Sequence, residues 1–134
     1  MRYILDTNIC IYIIKQKPVQ VFEKFKNLPL GSVGISIITF AELQYGVRKS
    51  AQPEKNQSAL NQFMVPLEIF DFDVNAAIEY GRIRTSLEKL GMSIGPLDTL
   101  IAAHAKSLKL TIVTNNEKEF KRVEGLEIAN WSKE

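Results

Sequence analysis

The chain has 134 residues, of which 46% are hydrophobic and 24% are charged. This composition excludes a disordered chain and a coiled coil, and the length predicts a single domain over residues 1–134. Seventeen basic and fifteen acidic residues leave a net charge of +2, which argues neither for nor against nucleic acid as a partner.

The start of the chain and its cysteine content predict where the protein works. Asp6 interrupts the first apolar run, and no small-residue cleavage site follows it, so we expect no signal peptide. The apolar runs fall short of the roughly 18 residues that a membrane span needs. The single cysteine, Cys10, lies in an apolar run and predicts a buried thiol in a reducing compartment. We therefore predict a cytoplasmic protein with no membrane contact.

Short β-branched runs alternate along the chain with longer runs of helical periodicity. In chain order the pattern predicts strand 3–5, helices 9–14 and 19–28, strand 33–37, helix 40–49, a helix through 60–63, strand 67–72, helices 74–90 and 97–108, strand 110–114, helix 117–123 and strand 125–128. Such alternation is typical of a mostly parallel sheet with helices on both faces. We predict a three-layer α/β/α fold with four to five strands.

Asp6 stands where the first predicted strand passes into the first helix. In open α/β sheets, ligands bind at the edge formed by the carboxyl ends of the strands. We therefore interpret Asp6 as the first of several carboxylates that distant segments bring together to hold a divalent cation.

Glu42 lies near the start of the helix that follows the second strand. Together with Thr39 it matches a capping box, in which the glutamate bonds back to the backbone at the start of its own helix. The same location would place Glu42 at the sheet edge beside Asp6. Both interpretations remain open from sequence.

Asp98 lies in the first turn of a helix that is apolar on nearly every side. Pro96 at the helix start and an acid in the first turn are favourable by themselves. A helix with this pattern is buried, however, and an acid at its start, at the edge of the sheet, needs a partner or a metal ion.

A fourth polar segment, with Asn116 and Glu119, follows the strand at 110–114. Asn116 could contact a metal-bound water or cap the next helix. Glu119 could face the cluster or be a surface acid that complements the helix dipole. Asp73 reads as a helix cap, and Asp71 as a surface or edge residue.

Carboxylates that lie close together repel each other, and one of them must take up a proton unless a cation is bound. Mg²⁺, with Mn²⁺ as a substitute, prefers oxygen ligands and would relieve that repulsion. Such a site can activate water for attack on a phosphodiester. His104, the sole histidine, is better interpreted as a packing or surface residue than as a general base.

Five segments of the chain resemble those of the PIN-domain ribonucleases, and specifically the VapC toxins of bacterial VapBC toxin–antitoxin pairs. They occur in order as Leu5-Asp6-Thr7-Asn8, Ala41-Glu42-Leu43, Pro96-Leu97-Asp98-Thr99-Leu100-Ile101-Ala102-Ala103-His104-Ala105, Thr114-Asn115-Asn116 with Glu119-Phe120, and Gly125-Leu126 with Asn130-Trp131.

This resemblance implies a Mg²⁺-dependent endoribonuclease that a VapB antitoxin inhibits. It further implies a homodimer, a toxin–antitoxin hetero-oligomer, and cleavage in the anticodon stem-loop of initiator tRNA. The residues that match the family's metal-binding acids are Asp6, Glu42 and Asp98, and those that match its orienting hydroxyls are Thr7 and Thr114. Many PIN domains carry an aspartate at the position of Asn116, so either Asn116 or Glu119 would complete the acidic site.

Two other classes of function remain compatible with the sequence. One is another metal-dependent phosphoesterase, such as a DNA nuclease. A phosphatase with an aspartyl nucleophile is disfavoured because it needs a second acid two residues after the first, where this chain has Asn8. The other class is a non-catalytic PIN module that binds RNA or protein.

Overall fold

The computed structural model describes residues 2–133, and the predicted strands and helices are all present, with ends that differ by a few residues. The elements are β1 (Tyr3–Leu5), α1 (Thr7–Lys15), α2 (Val19–Lys26), β2 (Val33–Ser36), α3 (Ile37–Lys49), α4 (Pro53–Met64), β3 (Glu68–Phe70), α5 (Val74–Lys89), α6 (Pro96–Leu108), β4 (Thr111–Val113), α7 (Glu117–Phe120) and β5 (Ile128–Ala129).

The strands form one sheet in the order β3-β2-β1-β4-β5. Each neighbouring pair is parallel, which confirms the predicted parallel sheet. Because the strands are parallel, all of their carboxyl ends meet at one edge. The central strand β1 delivers Asp6 to that edge, between the ends of β2 and β4.

Alternating side chains of the central strands enter two separate apolar layers. Leu5 and Val113 pack in the layer that contains the buried faces of α1 to α4. Ile4 and Ile112 point the other way, into the layer built by α5, α6 and α7. The three-layer α/β/α architecture is therefore confirmed. No helix within residues 2–133 combines the length and apolarity needed to cross a bilayer.

Local signals predicted both ends of α5 and the start of α6. The Asp73 carboxylate caps α5 by accepting a hydrogen bond from the Ala76 N–H at 3.0 Å. Gly91, with φ of 66°, follows its last turn, and the N–H groups of residues 91 and 92 bond back to the last carbonyls of the helix. Pro96 occupies the first turn of α6.

The predicted capping box at the start of α3 is wrong. The helix begins at Ile37, and its cap is Ser36, whose Oγ accepts a hydrogen bond from the Ile38 N–H at 3.0 Å. Thr39 therefore lies inside the first turn and is fully buried. Glu42 lies in the second turn, too far along the helix to bond back to its first N–H groups.

Candidate active site

Asp6 is a buried carboxylate held in place from both sides. The residue is 5% exposed. One oxygen accepts a hydrogen bond from the Asn8 N–H at 2.8 Å, and the other accepts from the Thr114 hydroxyl at 2.6 Å. The Thr114 oxygen in turn accepts from the Asn116 N–H at 2.9 Å. The hydroxyl proton of Thr114 is therefore directed at Asp6, as expected of an orienting group.

The environment of Asp6 opposes its ionisation. Burial raises the pKa of this carboxyl above its ordinary value, and the hydrogen bonds from Thr114 and Asn8 act in the opposite direction. The negative charge of Glu42 adds to the upward shift. Glu42 is therefore close enough to Asp6 for the two charges to interact.

Glu42 reaches the sheet edge from α3 and is fixed there by a neighbour of Asp6. The Thr7 hydroxyl donates a hydrogen bond to the Glu42 carboxylate at 2.7 Å. Thr7 is the first residue of α1, directly after Asp6. The hydroxyl–carboxylate pairs Thr7–Glu42 and Thr114–Asp6 thus hold two acids from distant parts of the sequence beside each other.

Asp98 enters the site from the first turn of α6 and is half-buried. Partial burial, the charge of Asp6, a hydrogen bond and charge from Glu119, and the charge of Glu42 together raise the pKa of Asp98 from 3.8 to about 7. Burial is the largest cause of this shift, and the three neighbouring acids add to it. Asp98 therefore interacts with carboxylates from three other segments of the chain.

Asn116 and Glu119 form the fourth side of this acidic cluster. The Asn116 amide donates a hydrogen bond to the Glu119 carboxylate at 2.7 Å, and Glu119 is hydrogen-bonded to Asp98. Asn116 occupies the cap position of α7 without making a side-chain cap. In this arrangement Asn116 orients Glu119, and Glu119 forms a hydrogen bond with Asp98.

The acidic cluster suits a hard divalent cation in its chemistry, because every side-chain donor is oxygen and the carboxylates carry excess negative charge. As the side chains stand, however, no three acidic, histidine or cysteine residues within the described 2–133 are arranged around one ion. The oxygens point instead to hydroxyl, amide and carboxyl partners.

Several other polar residues lie outside the cluster. Glu117 bonds to the Asn130 amide and the Lys133 ammonium group. Asp71 is exposed, and Asp73 is occupied as a helix cap. His104 is fully buried, in the packing role expected for it.

Ser36 is the residue that the sequence prediction missed. It ends β2 and caps α3, the helix that carries Glu42. Serine at the junction of a β-branched run and a helix is itself a strong N-cap signal. The Thr39–Glu42 spacing three residues later gave a competing match, which obscured it.

Comparison with known proteins relates the chain to a single family of nucleases. The PIN domain family matches residues 3–126. The tRNA(fMet)-specific endonuclease VapC of Shigella flexneri is 46% identical over 132 residues, which cover 98% of this chain and 99% of that protein. Ribonuclease VapC2 of Rickettsia felis is 48% identical over 134 residues, which cover 99% of this chain and all of that protein.

Two solved structures share the whole fold. The chain matches a crystal structure of VapBC2 from Rickettsia felis bound to a promoter DNA fragment with a TM-score of 0.92 and 46% identity, covering 98% of this chain and 99% of that one. It matches DNA-bound VapBC from Salmonella typhimurium with a TM-score of 0.92 and 45% identity, covering 98% of each chain.

Proposed function

Because this chain belongs to the PIN-domain family and is related along nearly its full length to VapC ribonucleases, we propose that it is a metal-dependent endoribonuclease, the toxin of a type II toxin–antitoxin pair. The observation that carries the proposal is the meeting of Asp6 and Glu42 at the carboxyl edge of the sheet, where each is held by a threonine hydroxyl and where Asp98 interacts with the charges of both. An uncompensated acidic cluster at the sheet edge is what a divalent-metal nuclease requires.

The residues that would hold the metal are Asp6, Glu42, Asp98 and the Asn116–Glu119 pair. PIN nucleases depend in general on divalent metal ions, and we propose Mg²⁺, with Mn²⁺ as a substitute, because all of these donors are oxygen atoms. When bound, such an ion supplies a water of lowered pKa and neutralises negative charge that develops on the phosphate.

The side chains around the acids prepare the site for this chemistry. Thr114 and the Asn8 N–H hold the two oxygens of Asp6 in a fixed orientation. Thr7 does the same for Glu42. The pKa of Asp98 is raised to about 7, so this carboxyl must lose its proton before it can bind a cation as a carboxylate. We propose Asp6, Glu42, Asp98 and Glu119 as the catalytic acids.

Initiator tRNA is the proposed substrate, with the cut in its anticodon stem-loop. The support is the name of the Shigella flexneri relative, a tRNA(fMet)-specific endonuclease that shares 46% of its residues with this chain. Because tRNA is a cytoplasmic molecule, the proposed reaction takes place in the cytoplasm.

The proposed partner is a VapB-type antitoxin in a toxin–antitoxin hetero-oligomer built on a toxin homodimer. Structures of the relatives from Rickettsia felis and Salmonella typhimurium are VapBC complexes. In this chain an apolar groove lies between α1, α3 and α4, lined by Ile11, Leu43 and Leu60, with Glu42 also on its wall. An apolar segment of the antitoxin seated in this groove would cover one of the proposed catalytic acids.

The test is cleavage of end-labelled RNAs by the purified protein in Mg²⁺. Initiator tRNA, elongator tRNA, an mRNA fragment and single-stranded DNA of matched length form the panel, with an EDTA-treated sample beside each. We expect cleavage of initiator tRNA that EDTA and Asp6→Asn abolish, while Asp71→Asn, an exposed acid outside the cluster, cuts like the parent. Cleavage by Asp6→Asn at the parental rate would contradict the proposal, and preferential cutting of the DNA would point to a DNA nuclease.

A further inference from the structure

His104 is a polar side chain sealed into the apolar layer between α6 and the sheet. Its exposure is 0%. The ring meets the Phe70 and Phe72 rings edge to face, with centroids 6.3 Å and 5.2 Å away. It lies on α6, fewer than two turns after Asp98. The acidic cluster does not use it directly.

One hydrogen bond connects this ring to the start of α3. His104 Nδ1 lies 2.7 Å from Ser36 Oγ, and the same Oγ accepts the Ile38 N–H that caps α3. α6 carries Asp98 and α3 carries Glu42. The bond therefore joins the two helices that deliver these acids.

The residues packed around the His104 ring restrict the movement of the ring and of Ser36. Ser36 is paired in register with Phe70 of β3. A methyl group at Gly34 would lie 2.6 Å from the Phe70 ring and 2.8 Å from the Glu68 carbonyl oxygen, so the ring occupies space that only a glycine leaves open. Phe70, packed close over β2 at Gly34, also meets His104 edge to face, at the level of Ser36.

The contribution of this hydrogen bond to stability does not by itself explain a buried histidine at position 104. Nε2 has no hydrogen-bond partner of normal geometry among the described residues, although the Asp71 backbone makes a polar contact with the ring, and burying a polar atom with a poorly placed partner is unfavourable. An apolar side chain of similar volume would avoid that cost. The apolar side chain would lose the short directional link to Ser36, together with the contact to the Asp71 backbone.

We propose that His104 is a positioning residue: its bond to Ser36 sets the start of α3 against α6 so that Glu42 and Asp98 face the same cation. The inference rests on the proposed ribonuclease function and deepens it, because it names a residue that acts through the geometry of the site. Displacements of about 1 Å at a catalytic group can cost about 100-fold in rate, so a lost link of this kind is measurable.

The test compares three single variants and one double variant on the proposed tRNA substrate. His104→Leu removes the bond at similar volume, Ser36→Ala removes its other partner, and His104→Asn keeps a polar atom near the location of Nδ1. The double variant combines His104→Leu with Ser36→Ala. Ile83→Val, which trims a buried side chain of the same layer on α5, is the control for loss of packing alone.

We expect His104→Leu and Ser36→Ala each to lower kcat by about 10-fold, with KM within about twofold of the parent. The double variant should be no slower than the slower single variant, because both substitutions break the same link. His104→Asn should recover most of the rate, and Ile83→Val should keep the parental kcat. Folded His104→Leu with parental kcat, multiplicative effects in the double variant, or His104→Asn as slow as His104→Leu would each overturn the inference.

A second readout does not depend on activity. In ¹H–¹⁵N spectra, His104→Leu should shift the amide signals of Ile38 and Glu42, as Ser36→Ala does, while Ile83→Val leaves them in place. If the parent cuts no RNA but these shifts occur, the proposed function fails and the link between α6 and α3 stands. If His104→Leu leaves both signals unmoved, the link itself is refuted.

Discussion

At the scale of single residues, neutral groups decide how the acids are presented. Asp6 and Glu42 each take a hydrogen bond from a threonine hydroxyl, at 2.6 Å and 2.7 Å. Hydrogen bonds to a carboxylate favour its charged form and fix its orientation. The two threonines, Thr114 and Thr7, therefore offset part of the cost of burying charge and fix the orientation of the two acids.

Removing the hydroxyl that holds Asp6 should impair catalysis more than folding. We expect Thr114→Val, which keeps the shape of the side chain, to lower kcat by about 10- to 100-fold, because second partners of metal-binding side chains have effects of about this size. Thr85→Val, at an exposed site on α5, is the matched control. Steady-state cleavage kinetics measure the effect, and a Thr114→Val protein with the parental kcat would refute an orienting role.

The acidic cluster should also make the metal-free protein less stable as pH rises. The pKa of Asp98 is about 7 in the folded protein against an ordinary value of 3.8, so between about pH 4 and pH 7 the folded state holds a proton that the unfolded state has lost. The free energy of unfolding therefore falls with rising pH across this window and levels off above it. Burial shifts the pKa of Asp6 in the same direction.

Thermal unfolding in EDTA between pH 5 and pH 8 measures this effect. The Tm of the parent should fall with pH more steeply than that of Asp98→Asn, which carries no titrating group at this position. Added Mg²⁺ should raise the Tm more at pH 8 than at pH 5, because protons compete with the cation for the carboxylates. If the Tm of the parent and that of Asp98→Asn fell equally with pH, the pKa of Asp98 would not be raised in the folded protein.

At the scale of elements, local signals predicted helix ends where one residue determines the geometry. Asp73 and Gly91 bound α5 as expected, since a carboxylate cap and a left-handed glycine leave few alternatives. The start of α3 was missed because Ser36 and Thr39 are both good caps. Which one caps the helix depends on where β2 ends, and the pairing of β2 with β3 decides this.

Two glycines of the same region should respond in opposite ways to the same substitution. Gly81 lies within α5 with open space around it, whereas Gly91 has φ of 66°. We expect Gly81→Ala to raise the free energy of unfolding by about 0.5–1 kcal/mol. Gly91→Ala should lower it by about 1 kcal/mol, because alanine is strained in the left-handed conformation. Urea unfolding measures both changes. A stabilising Gly91→Ala would contradict a left-handed glycine at the end of α5.

At the scale of the whole molecule, the parallel topology brings distant segments to one edge of the sheet, which no local motif can do. Once strands alternate with helices, the carboxyl ends must share an edge, and this rule placed Asp6 at that edge. The role of Asp98, which follows a helix and not a strand, was inferred from the apolar pattern of its own helix and from the family resemblance. The contacts of Asn116 and Glu119 with the cluster could not be predicted in this way. They depend on the side-chain orientation of a four-residue helix, α7, which sequence periodicity does not determine.

That the chain folds as a single domain stays a prediction, which unfolding can test at this scale. We expect one cooperative transition in urea, with circular dichroism and the fluorescence of the buried Trp131 changing together. Two separated transitions would indicate independently folding parts.

The central claim is that carboxylates from four segments form one divalent-metal site, and direct Mn²⁺ binding to the purified protein tests it most closely. Electron paramagnetic resonance counts free and bound ion without any substrate. We predict saturable binding by the parent, at least about 10-fold weaker binding by Asp98→Asn, and unchanged binding by Asp71→Asn, in which the lost acid is exposed and outside the cluster. Equal Mn²⁺ affinity in the parent and in Asp98→Asn would contradict the account.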